Sequence, residues 1–123
     1  MGDLMSTIKA NDIQNASGGI PTVKGQKLIP TAWVSFNGEN TVAIKDSEGV
    51  SSITDVGTGH YRVVSTSTMP NTNYATLFTQ GNTTKNGSAA SLTTAGFDVF
   101  SRNDAATFAD SAFCSAVVMG GQA

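Results

Sequence analysis

The sequence predicts an all-β fold: a small antiparallel β-sandwich behind an extended N-terminal arm. Three observations carry this. Only 13% of the 123 residues are charged, against about a quarter in an ordinary domain. Thr, Ser, Asn and Gly take their place, and these residues favour strands and turns. Short alternating apolar segments recur from Ala32 onward, each bounded by turn residues, as in sandwiches built from many short strands. The first thirty residues, by contrast, hold few apolar side chains and no sustained period of 2 or 3.6.

The arm is read as residues 1–31. Its apolar residues include Ile8, Ile13, Ile20, Val23, Leu28 and Ile29, and Gly18, Gly19, Pro21, Gly25 and Pro30 interrupt any long helix or central strand. Such a segment does not offset its own ordering entropy. Isoleucines recur where a free tail would be more polar, so the expectation is an arm ordered by assembly, with those six residues making the contacts. The knob is read as residues 32–123. Trp33-Val34-Ser35-Phe36 opens it as a strand with Val34 and Phe36 on one face, and Asn37-Gly38 is a strong hairpin signal. Thr41–Lys45 is the expected partner strand, with Val42 and Ile44 inward, followed by a turn at Asp46–Gly49. A third strand runs from Val50 to Val56 with Ile53 inward. Gly57-Thr58-Gly59 then turns the chain into His60–Val64. Met69–Asn73 is a loop, and Tyr74–Thr79 alternates again. Residues 81–91 contain no large apolar side chain and read as a long exposed loop. Phe97–Arg102 and Phe113–Met119 are the last strands, with a short helical turn as one reading of Ala105–Asp110. Trp33, Phe36, Ile44, Ile53, Tyr61 and Phe78 are the expected core or subunit-interface residues. A module this small has thin stability margins and exposed sheet edges, so a symmetric oligomer is expected.

Charge and cysteine content narrow the function. The net charge is −2, and Lys9, Lys24, Lys27, Lys45, Arg62, Lys85 and Arg102 are scattered, so no nucleic-acid partner is expected. The longest apolar stretch, Ala116–Met119, is too short to enter a membrane as a span. The N-terminus has no secretory pattern, which points to synthesis in a cytoplasm. Cys114, the single cysteine, reads as a small buried hydrophobe of the final strand. His60 is the single histidine and reads as a surface strand residue; no Gly-x-Ser-x-Gly elbow accompanies it. Gly57-Thr58-Gly59 precedes a strand, which is not the context of a phosphate loop. Asp46, Glu48 and Asp55, like Asp98, Asp104 and Asp110, read as solvated turn carboxylates without calcium-loop spacing. No catalytic residue, cofactor or metal ligand is expected. Trp33, Tyr61 and Tyr74 would stack on sugars if exposed.

Two stretches resemble proteins of the tailed-bacteriophage virion. Ser6-Thr7-Ile8-Lys9-Ala10-Asn11-Asp12-Ile13-Gln14-Asn15-Ala16-Ser17-Gly18 is similar to N-terminal segments of tail-fibre and related structural proteins. The second is more specific. It comprises Ala32–Gly38, Val42–Ser47, Val50–Asp55, Gly57–Tyr61 and Met69–Tyr74, and resembles a β-module near the distal end of many phage fibres. The resemblance implies a non-enzymatic component of the virion surface, made in the bacterial host cytoplasm and assembled as a homotrimer. Its expected partners are other phage virion proteins of the tail or capsid and a host surface glycan or protein. On the leading reading it is a short tail fibre or receptor-binding knob. Asn82, Thr83, Thr84, Lys85 and Asn86 would then form the receptor-contact loop. A capsid decoration or cement protein (a head fibre) is the alternative, since a short arm plus knob suits it equally. A glycan hydrolase with paired carboxylates is a weaker alternative, because phage depolymerases are built on large β-helices. Met1 and Met5 both stand as the start.

Overall fold

A computed structural model describes residues 6–81 and 85–121. Among these residues the chain is all-β. Eight strands form two antiparallel four-stranded sheets. They are β1 (Ala32–Asn37), β2 (Ala43–Glu48), β3 (Val50–Gly57), β4 (His60–Ser65), β5 (Tyr74–Gln80), β6 (Lys85–Thr93), β7 (Gly96–Asn103) and β8 (Cys114–Gly120). The first sheet has the order β2-β1-β8-β5 and the second β3-β4-β7-β6. The chain therefore changes sheet after β2, β4, β5 and β7, and the two layers are interwoven in a sandwich-like arrangement.

Period-two alternation sorts the side chains. On β1, Ala32, Val34 and Phe36 are buried while Trp33 points the other way; β8 buries Cys114, Ala116 and Val118. On the second sheet Tyr61, Val63, Phe97 and Val99 turn inward. These residues meet in one core, with Val42, Ile44, Ile53, Phe78, Ala89 and Leu92 packed on its margin. Phe36 is the hinge of this packing. Its ring meets Tyr61 of the opposite sheet edge-on, with centroids 5.3 Å apart, and lies 6.5 Å from Phe78. Edge-to-face contact suits the quadrupoles of the two rings.

Several expectations change. Trp33 does not belong to the core: the alternation that buries Val34 and Phe36 sends it to the outer face, where it is 37% exposed. Asn37-Gly38 is not the hairpin turn. β1 and β2 do pair antiparallel, closing at Asn37 and Ala43, but through a longer connection. Gly38 is required for another reason: a Cβ there would collide with the Tyr61 hydroxyl and come within 2.8 Å of the Ser111 carbonyl. Asp46, Ser47 and Glu48 are not a turn but the end of β2, and the chain leaves the sheet at Gly49. Ala105–Asp110 forms no helical turn. Asn103 Oδ1 accepts the N–H groups of Ala105 and Thr107, and Arg102 bridges to Phe108.

The largest correction concerns residues 81–91. Residues 85–93 are strand β6, paired along β7. Its first core-facing positions are small, Gly87 and Ala89, and Leu92 packs on the core margin further along; at Gly87 the ring of Phe78 from the other sheet fills the space. A Cβ on Gly87 would lie 2.6 Å from two Phe78 ring carbons. Asn82, Thr83 and Thr84 lie outside the described residues.

Residues 6–31 hold no helix or named strand. Two local turns give them shape. Asn15 Oδ1 accepts the N–H groups of Ser17 and Gly19, and Asn15 Nδ2 donates to the Ile20 carbonyl. Val23 and Gln26 exchange two backbone hydrogen bonds. Ile20 is half-buried and lines a cleft of about 430 Å³ with Thr31, Gly49, Val50 and Met69 at one end of the sandwich.

Candidate functional surfaces

Three groups of side chains stand out, and the first is structural. The Tyr61 hydroxyl lies 2.8 Å from the Gly38 carbonyl and 2.9 Å from Asp110 Oδ1. The same carboxylate oxygen accepts the Gly59 N–H at 2.8 Å. One phenol thus ties the β1–β2, β3–β4 and β7–β8 connections together at one end of the molecule. Burial pushes its pKa far above the ordinary value, and the neighbouring Asp110 carboxylate adds to the rise. Tyr74 does the same work at the β6–β7 turn, where its hydroxyl meets the Thr93 and Gly96 carbonyls at 2.7 and 2.9 Å. Burial raises its pKa too. Both tyrosines are buried, so neither is available to stack on a sugar. Asp110 is a bonded, half-buried group and not a solvated turn residue.

The second group lies on the outer face of the second sheet. The register places His60 beside Phe100, Arg62 beside Asp98, and Asn86 beside Arg102. The His60 ring stacks on Phe100 with centroids 4.4 Å apart, and Phe100 stacks on Phe108 at 5.7 Å. The Arg102 guanidinium lies 4.8 Å from the Phe108 centroid and 5.5 Å from that of Phe100, and donates to Ser88 Oγ. Arg62 donates to Asp98 Oδ1 at 2.7 Å and to Thr93 Oγ1 at 3.1 Å. His60 Nε2 is 3.2 Å from Asp98 Oδ2, close enough for attraction but without the alignment of a hydrogen bond. His60 is therefore a strand residue, as expected, but one held between a ring and a carboxylate. Asp98 is an ion-pair partner and not a solvated turn residue. Phe108 is 45% exposed. This strip combines flat apolar rings with both arginines of the chain, the mixture enriched at binding hot spots.

The third group is on the outer face of the first sheet. Trp33 pairs with Val117, and Val117 pairs with Leu77, so three adjacent strands place one apolar residue each in a single row. Leu77 is 68% exposed. On β2 the same face carries Glu48 opposite Trp33 and Asp46 opposite Ser35.

Of the expected arm residues, Ile8 and Ile13 are strongly exposed, Val23, Leu28 and Ile29 are exposed, and Ile20 is half-buried. Phe36 and Tyr61 are fully buried; Ile44, Ile53 and Phe78 pack on the core margin. Asn86 joins the aromatic strip through its β-pair with Arg102. Phe100, Phe108 and Leu77 were missed by the sequence reading. Alternation around Phe97 and Val99 would have placed Phe100 on the outer face. Among the described residues no three His, Cys, Asp or Glu side chains gather into a metal-sized group. No family model, curated protein or solved structure matches this chain.

Proposed function

We propose that the chain is a non-enzymatic structural protein of a tailed-phage virion, a short tail fibre or receptor-binding knob joined to the particle by its N-terminal arm. One observation supports this most. Residues 6–14 make no hydrogen bond among the described residues, and they carry Ile8 and Ile13 at 85% and 66% exposure in front of a sandwich with its own core. Exposed isoleucines on a segment without a fold of its own suit burial against another surface. The resemblance of this segment, and of the strands after it, to phage fibre proteins supports reading that surface as part of a phage particle.

The knob assembles as a homotrimer and meets the host through many weak contacts multiplied by valency. Its contact face is the Asn86–Arg102–Phe100–Phe108 strip, whose rings suit a surface glycan or a protein loop. The capsid-decoration reading keeps the same arm and differs only in where the arm lies.

The double substitution Ile8→Asp, Ile13→Asp tests the arm in the full chain. Both side chains are exposed, so the melting temperature stays unchanged while incorporation into particles is lost. Incorporation at the wild-type level would remove the arm from this reading.

A further inference from the structure

Two exposed features of the chain complement each other. The Trp33–Val117–Leu77 row is apolar and ends in carboxylates: Glu48 sits opposite Trp33, and Asp46 is two residues before it on the same face. Among the described residues neither carboxylate makes an ion pair. The second feature is the segment from Val23 to Ile29. Val23 and Gln26 bond to each other twice, at 3.0 and 2.9 Å, across Lys24 and Gly25, whose φ angles are 53° and 74°. Two successive residues at positive φ make a tight reverse turn of the primed type. The turn gives this short segment a defined shape, yet Val23, Leu28 and Ile29 are 51%, 54% and 37% exposed. Lys24 and Lys27 lie between Val23 and Leu28, again without an ion pair among the described residues.

The charges are divided in the same sense over the whole chain. Residues 1–31 carry Lys9, Lys24 and Lys27 against Asp3 and Asp12, whereas residues 32–123 carry seven carboxylates against four cations. A basic apolar turn and an acidic apolar row therefore occur on one molecule, and both are uncovered. Val23 and Leu28 remain exposed in the same chain in which Trp33 and Leu77 remain exposed, so the turn does not lie on its own sheet.

We infer that the Val23–Ile29 turn of one copy docks on the Trp33–Val117–Leu77 row of a second copy, with Lys24 and Lys27 set against Asp46 and Glu48. Two rows placed face to face would oppose like charges, and two turns would do the same. The contact therefore joins different surfaces of identical chains, turn on row. A head-to-tail contact that closes makes a ring of copies, in which every row and every turn is filled. This rests on the reading of residues 6–31 as an assembly arm, and it adds where on the neighbour that arm sits. Residues 6–14 stay outside the contact and remain available to the particle.

Analytical ultracentrifugation of the full-length protein tests this directly. Wild type sediments as a closed oligomer. Leu77→Asp, a substitution at an exposed position, sediments as the 12.6 kDa chain, keeps the β-sheet circular dichroism of wild type, and has a melting temperature that no longer rises with protein concentration. Lys24→Glu with Lys27→Glu shifts the protein toward monomer, and adding Asp46→Lys and Glu48→Lys to that variant restores the oligomer. Trp33 fluorescence moves to shorter wavelength on assembly and stays at longer wavelength in Leu77→Asp. A wild-type protein that is monomeric at every concentration, a Leu77→Asp variant that assembles like wild type, or a charge exchange that restores nothing would each overturn the contact. Particle incorporation is read separately. A protein that forms this ring but never joins a virion would sink the virion reading and leave the contact standing. A virion protein whose Leu77→Asp variant still forms rings would do the reverse.

Discussion

Tyr61 shows how one side chain holds several connections. Its hydroxyl has one proton and faces two acceptors, the Gly38 carbonyl and Asp110. Tyr61→Phe removes that donor from both the Gly38 carbonyl and the Asp110 carboxylate, while the Gly59 N–H still donates to Asp110. We expect a loss of about 1–3 kcal/mol, read as a lower urea midpoint at pH 7. The pH dependence has a definite sign. The folded-state pKa is raised above the unfolded value of about 10, so the unfolded chain loses the phenolic proton first. The contribution of Tyr61 is complete below about pH 10 and is lost as pH rises toward the folded-state value. Wild type therefore weakens above about pH 10, and Tyr61→Phe flattens that decline; an unchanged alkaline slope would contradict the network. At this scale the sequence was legible where parity decides. Val34 and Phe36 inward means Trp33 outward, which removes the core half of its expected core-or-interface role and leaves the subunit-interface half. The role of Tyr61 was not legible, because Gly38 and Asp110 reach it only through the fold.

Strand β6 marks the limit of pattern reading at the scale of elements. Residues 85–91 hold no large apolar residue, and a strand facing a core normally supplies its own. Here Phe78 crosses from the other sheet and occupies the volume at position 87, so glycine is what fits there. Gly87→Val should cost about 1–3 kcal/mol through overpacking against Phe78. Ser88→Ala, on the outer face, should stay within about 0.5 kcal/mol. Thermal melts of the two variants check this, and two equally silent substitutions would mean that residues 85–93 do not form a packed strand. Strands with large inward residues, such as β1, β4 and β7, announced themselves. β2 was placed but cut short at Lys45, because Asp46-Ser47-Glu48-Gly49 resembles a turn. On an edge strand such charges discourage pairing with other chains.

The arrangement of the whole molecule follows from strand order, which no local pattern contains. Trp33, Leu77 and Val117 are far apart in the chain and become one row only because β1 and β5 flank β8. The aromatic strip likewise needs β4 beside β7 to bring His60 onto Phe100. The sequence reading thus reached a two-sheet fold with a sparse N-terminal segment, and found neither surface on which the proposed functions rest. Those two surfaces lie on opposite sheets, so copies joined through the first sheet leave the strip on the second facing outward. A particle-bound knob needs that division, with one face for assembly and another for the host.

Immunogold electron microscopy of purified virions, with an antibody raised against this protein, decides whether the chain is part of a phage particle. Gold is expected on the particles, concentrated at the tail or its fibres. Gold spread over the head would keep the protein on the virion and make it a capsid decoration protein. Particles that carry no gold, from a lysate in which the protein is abundant, would contradict the account.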